Sequence, residues 1–178
     1  MNFKKINPKD LHLNPITTLS DEWPLLTAGN KESGFNTMTI SWGHIGSLWG
    51  VGGGKPTFVA YVRPHRYTFE FMNSNDIFTV SVLPSDFKEA LAYLGKVSGR
   101  DEDKVTKAGI TPVFDQGTTY FEEAKLVFVC KKLYQAPISE DGFIDNAMMK
   151  KIYPEKDYHT MYVGEILSIL KKIRHRNP

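Results

Sequence analysis

The spacing of apolar and polar positions predicts a β-rich fold. "WPLLTAG" (Trp23–Gly29) reads as a short apolar strand. "FNTMTISWG" (Phe35–Gly43) reads as a second, its residues alternating across two faces. "KPTFVAYVRP" (Lys55–Pro64) is a third, stopped by Pro64, and "IFTVSVL" (Ile77–Leu83) a fourth. "TTYFEEAKLVFVCKKLYQA" (Thr118–Ala136) is long, and its "AKLVFVCKKLY" part is the clearest strand in the chain. "HTMYVGEILSILKKI" (His159–Ile173) is the last, although "ILSILKK" also fits a helix. Helical spacing falls between the strands. It covers "RYTFEFMNSN" (Arg66–Asn75), "SDFKEALAYLGK" (Ser85–Lys96) and "DEDKVTKAG" (Asp101–Gly109). Ser85 is the expected N-cap of the second and Gly95 its expected terminator. "FIDNAMMKKIYP" (Phe143–Pro154) is helical or irregular. Strands with short helices and no regular βαβ alternation argue for an antiparallel barrel with helical decoration, mainly β, in one domain over residues 1–178.

Composition narrows the function. The chain has 178 residues, 41% hydrophobic and 24% charged, with a net charge of +2. Those values are ordinary for a globular protein, and no overall field calls for nucleic acid or an anionic membrane. The basic run "KKIRHR" (Lys171–Arg176) reads as a solvated end. The lone cysteine, Cys130, sits in an apolar run and reads as a packed thiol rather than a nucleophile. No Cys/His spacing suits zinc, so no metal is expected. The N-terminus lacks the apolar core of a secretory signal, and no apolar run spans a membrane, so the expected location is cytoplasmic.

Several motifs fail on inspection. "GVGGGKP" (Gly50–Pro56) lacks the phosphate loop's leading glycine and the Ser or Thr after its lysine. It reads instead as a hairpin connection. Ser41 and Ser47 lack the flanking glycines of a hydrolase elbow. No paired carboxylates stand out for acid–base work. If the protein is an enzyme, a cofactor carries its chemistry.

Two stretches point to such a cofactor. In "YVRPHRYTFEF" (Tyr61–Phe71) a strand delivers Arg63, Pro64 turns the chain, and Arg66, Tyr67 and Thr68 open a helix. Two guanidinium groups, a hydroxyl and a helix N-terminus suit a phosphate. In "NTMTISWG" small polar groups lead to Trp42. Together they describe a site for a phosphorylated flat ring.

The ordered set "NTMTISWG", "KP" opening a strand, "RPHRYT", "FTVSV", "LGKVSGRDEDK" (Leu94–Lys104) and "HTMYVGEI" (His159–Ile166) resembles the flavin reductase-like family of FMN-binding split barrels. Its flavoredoxin-containing subgroup is the most similar. The resemblance runs from about Trp23 to about Leu170. It implies a homodimeric split barrel holding FMN, with FAD a less favoured substitute. It implies that Asn36, Met38, Thr39, Ser41 and Trp42 line the isoalloxazine and ribityl chain. Arg63, Arg66 and Thr68 would hold the phosphate with Tyr67 beside it. Ser81 would face the site from the next strand. Ser98, Gly99 and Lys104 would border the flavin, from this chain or a partner subunit. His159 matches a family histidine near the reactive face and is the catalytic candidate; the competing role is a satisfied histidine at a strand start. The glycine-rich "GSLWGVGGGKP" is longer than the simplest family pattern.

The resemblance implies an oxidoreductase that passes electrons from NADH, NADPH or a redox protein partner through flavin to an acceptor. The alternative is a non-enzymatic FMN-binding electron carrier without a nicotinamide site. A single-stranded nucleic-acid binder, with strand aromatics beside Arg63 and Arg66, is disfavoured by the small net charge.

Overall fold

The computed structural model describes residues 3–173. Residues 174–176 of the basic run lie outside them. Among the described residues, ten strands and five α-helices follow one another: β1 (Phe3–Ile6), α1 (Pro15–Ser20), β2 (Leu25–Asn30), β3 (Gly34–Thr39), β4 (Gly43–Leu48), β5 (Lys55–Val62), α2 (Tyr67–Ser74), β6 (Ile77–Val82), α3 (Lys88–Lys96), α4 (Lys104–Lys107), β7 (Pro112–Asp115), β8 (Thr118–Phe121), β9 (Leu126–Pro137), α5 (Asn146–Ile152) and β10 (Thr160–Lys172). The main sheet is antiparallel in every pairing and runs β3-β2-β6-β9-β10-β5-β4. Its two ends, β3 and β4, follow each other in sequence yet do not pair. A separate β7–β8 hairpin closes through Gln116 and Gly117, both at positive φ. That is the backbone a two-residue hairpin loop demands.

β10 is the spine. It pairs with β9 along almost its whole length, with β5 over Thr160–Glu165 and with β1 over Ile169–Lys172. The register shifts at Val163/Gly164, where a side chain on Gly164 would strike the Phe78 ring at 2.5 Å. The helix reading of "ILSILKK" fails because neighbours on both sides bind its backbone, and ladder pairing outweighs local spacing.

Apolar side chains fill two cores. One holds Phe58, Phe78, Phe128 and Tyr162 with Met72 of α2. The other holds Leu25, Val127, Tyr120 and Phe121 with Leu91 and Leu94 of α3. Cys130 is fully buried, and burial pushes its thiol pKa up.

Several expected elements take different bounds. The stretch Phe35–Gly43 is not one strand: β3 stops at Thr39 and the chain turns a corner through Ile40–Trp42 before β4. Thr118–Ala136 breaks at 122–125 into β8 and β9, which lie in different sheets. Ser85 opens a 3-10 turn rather than capping α3. Gly95 lies inside α3, where it leaves room for Thr39: an added Cβ would sit 3.1 Å from the Thr39 Cβ. α5 is helical, with Asp145 accepting from the Met148 amide. The glycine-rich stretch is a hairpin connection between β4 and β5.

Candidate functional site

β5 ends at Val62, Pro64 breaks the ladder, and the Arg66 amide donates to the Arg63 carbonyl at 3.1 Å. α2 then starts at Tyr67 with no side chain capping its first turn. That leaves helix N-terminal N–H groups for another partner. Opposite, α3 ends at Lys96, and the loop Val97–Asp103 leads into Lys104. Between them lies a cavity of about 340 Å³ with Asn36, Met38, Thr68, Ser98 and the basic Arg66, Arg100, Lys96 and Lys104 in its wall. Asp101 is the single carboxylate there. The Asn36 amide donates to Thr68 Oγ1 at 2.7 Å, tying β3 to α2. Gly99 is closely packed at this junction, where a Cβ would fall 2.2 Å from Asn36 Oδ1. Arg100 lies over the Tyr67 ring at 4.6 Å and pairs with Glu70. Lys104 is buried, and its Nζ donates to the Leu94 and Val97 carbonyls at 3.0 and 2.9 Å. Burial and the neighbouring Arg66 charge lower its pKa to about 8. Arg66 donates to the Gly95 carbonyl at 2.6 Å. Clustered cations, small hydroxyl groups and an uncapped helix start form a donor set that suits a phosphate.

A second cavity, about 370 Å³, shares Met38, His65 and Arg66 with the first and adds Thr39, Arg63, Gly95 and His159. Thr39 Oγ1 donates to the Leu91 carbonyl at 2.5 Å, so this hydroxyl braces β3 on α3. Arg63 lines the cavity, but its guanidinium pairs with Asp157, donates to the Ile152 carbonyl at 3.0 Å and covers the Tyr153 ring at 5.0 Å. His159 is half-buried, with Nδ1 2.8 Å from the Tyr153 hydroxyl and its ring 4.8 Å from Trp42. Burial, reinforced by Arg63, lowers its pKa to about 4, so it is neutral near pH 7. Where the Tyr153 hydroxyl is the donor of this bond, the neutral ring carries its proton on Nε2.

Ser41 and Trp42 stand at the corner between β3 and β4 and line a third cavity of about 670 Å³. Ser81 is fully buried in β6, its hydroxyl without a protein partner, and it lines none of the three cavities.

The fold thus brings Asn36, Met38, Thr39, Arg63, Arg66, Tyr67, Thr68, Ser98, Lys104 and His159 onto two abutting cavities of one chain. No partner subunit is needed to bring Ser98 and Lys104 beside Arg66. Sequence reading passed over Arg100, His65 and Tyr153. Arg100 stands directly after the quoted Ser98–Gly99 pair, and His65 between the two quoted arginines. Tyr153 carried no local signal, since only the return of the chain into β10 sets it against His159. Among the described residues, no group of His, Cys, Asp or Glu is arranged to hold a metal ion, and no helix is long and apolar enough to cross a membrane.

Comparison with known proteins points the same way. A family model, "Flavin reductase like domain", matches residues 19–177. Comparison with curated protein sequences found no match. Among solved structures, the FMN-binding domain of a flavin reductase-like enzyme from Shewanella baltica OS155 superposes with a TM-score of 0.65 at 13% identity, covering 96% of this chain and 78% of that one. Flavoredoxin of Desulfovibrio vulgaris (Miyazaki F) gives 0.64 at 21%, covering 97% and 77%. The FMN-binding protein of Thermus thermophilus with bound p-hydroxybenzaldehyde gives 0.62 at 20%, covering 94% and 78%. The sheet with its unpaired β3 and β4 ends is the split barrel of these proteins. Since the family model takes in nearly the whole sequence, the chain belongs to the flavin reductase-like domain family.

Proposed function

We propose that this protein is an FMN-binding oxidoreductase that passes electrons from NADH, NADPH or a redox protein to an acceptor, working as a cytoplasmic homodimer of one-domain chains. The observation that carries the reading is the pair of abutting cavities. One is basic and bounded by an uncapped helix; the other presents Met38, Thr39 and neutral His159. Arg66, Arg100 and Lys104 would neutralise the phosphate, with Ser98 and Thr68 beside the polyol chain. Bound flavin would supply reversible acceptance of two electrons, which no side chain here provides. The chain's own part is to bind, orient and exclude water. The bond from Asn36 to Thr68 and the Thr39 brace fix β3 against α2 and α3. His159, held by Tyr153, would offer an uncharged N–H donor to a ligand in the 370 Å³ cavity. For a subunit contact the exposed Trp49, Tyr134 and Val51 offer apolar surface.

The test is an absorption spectrum of the purified protein mixed with FMN and then desalted. Retained colour with peaks displaced from those of free FMN is expected. Colourless protein that leaves FMN unperturbed overturns the reading. The fold likeness to flavoredoxin supports a second reading, an electron carrier without a nicotinamide site. Anaerobic NADH or NADPH bleaches the bound flavin where a nicotinamide is the donor and leaves it oxidised in a carrier or where a redox protein is the donor.

A further inference from the structure

The 670 Å³ cavity is opposite in character to its basic neighbours. Among the described residues, no Lys, Arg, Asp or Glu lines it. Its walls include buried apolar groups, Leu19 and Tyr153, exposed by only 6% and 4%. Ile16, Met148 and Trp42, also in the wall, are exposed by 73%, 46% and 44%, so the cavity opens to solvent. Four stretches build it: α1, the corner leading into β4 with the start of that strand, Tyr61 of β5, and the excursion from Ile138 to Tyr153. Its volume falls in the range of small-molecule sites, roughly 300–1,000 Å³. It also adjoins the candidate flavin site. Trp42 and Tyr153 line it, and both rings pack on His159, at 4.8 and 5.6 Å, while His159 lines the 370 Å³ cavity. Polar side chains are few: Ser20, Ser41, His44, Tyr153, whose hydroxyl meets His159 Nδ1, and Tyr61, whose hydroxyl sits 3.4 Å from His44 Nδ1.

We propose that this cavity binds the second substrate of the oxidoreductase, and that this substrate is an uncharged, largely apolar ring compound. The proposal rests on the flavin reading above. A phosphate or carboxylate placed here would shed part of its water and meet no Lys or Arg among the described residues. The same group is matched in the 340 Å³ cavity by Arg66, Arg100 and Lys104. Anionic ligands and neutral rings are thereby sorted to opposite sides of the Trp42–His159 contact. Trp49 and Tyr134, 5.8 Å apart, line none of the three cavities.

The test titrates FMN-loaded protein with 2-naphthol and, in parallel, with naphthalene-2-sulfonate, read by methyl NMR shifts at Ile16 and Met148. Saturable naphthol binding is expected, with the sulfonate weaker by about tenfold or more. Ile16→Asp and Met148→Asp, both at exposed positions, are expected to weaken naphthol by about tenfold while FMN retention and melting temperature hold. Equal binding of the two probes, or no saturation by either, overturns the proposal. So does a fall from dimer to monomer in the variants, which makes the cavity a subunit contact. Protein that holds no FMN overturns the function reading alone, because the naphthol titration reads the cavity with or without flavin.

Discussion

Side chains of one chemical type do different work within a few residues of each other. Arg63 and Arg66 flank the same proline turn, yet Arg63 is committed to Asp157 and the Ile152 carbonyl, whereas Arg66 lines both basic cavities. Arg66→Ala is therefore expected to weaken FMN binding by about 1.5–3 kcal/mol, as for a lost charged hydrogen bond. Arg63→Ala should weaken it less. Fluorescence titration of both variants checks the order, and equal losses would refute the division of labour. Gly99 is fixed by a contact rather than by its backbone angles. A methyl group there meets Asn36 Oδ1 at 2.2 Å, and Asn36 is held by Thr68. Gly99→Ala should cost about 1–3 kcal/mol of stability through overpacking. In an Asn36→Ala background that cost should shrink, because the clashing atom is gone. Urea melts of the four proteins measure the coupling, and strict additivity would place the strain elsewhere.

At the scale of elements, the excursion from Ile138 to His159 is the part the sequence left open, and it matters most to the site. It leaves β9, forms α5 and returns as β10 with His159 at the entry. Arg63 ties it to the end of β5 through Asp157 and Ile152. Asp157→Ala should free Arg63 and loosen that tie. Hydrogen exchange in Asn146–Ile152 is expected to quicken, while exchange in β6 and β9 stays slow. Unchanged exchange in α5 would mean that the aromatic contacts of Phe143 and Tyr153 hold the excursion by themselves. The strands around it were legible because each carries its own pattern. β6 and the first half of β9 are apolar runs buried in the sheet, and Pro64 announces the end of β5. β1, α1, β4 and β7 escaped notice. "FKKI" is short and half polar, and "PITTLS" and "PVFD" are too short to show a period. The reading of Phe35–Gly43 as one strand went wrong because alternation persists through the corner at Ile40–Trp42, while the partner strand changes. That corner sends Thr39 to the basic side and Ser41 and Trp42 to the apolar one. Ser81, expected at the site from the resemblance alone, has its hydroxyl sealed in the sheet.

The molecule as a whole carries cations and neutral imidazole in places where folding opposes their charge, and this sets its response to pH. His159 goes from an ordinary value of 6.5 to about 4 on folding, chiefly through burial. Between those values the unfolded chain binds more protons than the folded one, so stability rises with pH across that window and falls as acid is added. Lys104, lowered from 10.5 to about 8 by burial and by Arg66, acts in the same direction between about 8 and 10.5. Paired carboxylates add their own loss only further into acid: Arg63 holds Asp157 below the usual carboxylate range. Acid sensitivity between pH 7 and 5 should therefore trace to His159, with a loss of about 1–2 kcal/mol. Urea midpoints at pH 7 and pH 5 measure it in the natural protein and in His159→Asn. The variant is expected to lose most of the difference between the two pH values, because its side chain takes up no proton in either state. If the variant keeps the full difference, His159 is not held neutral by its burial against Trp42 and Tyr153.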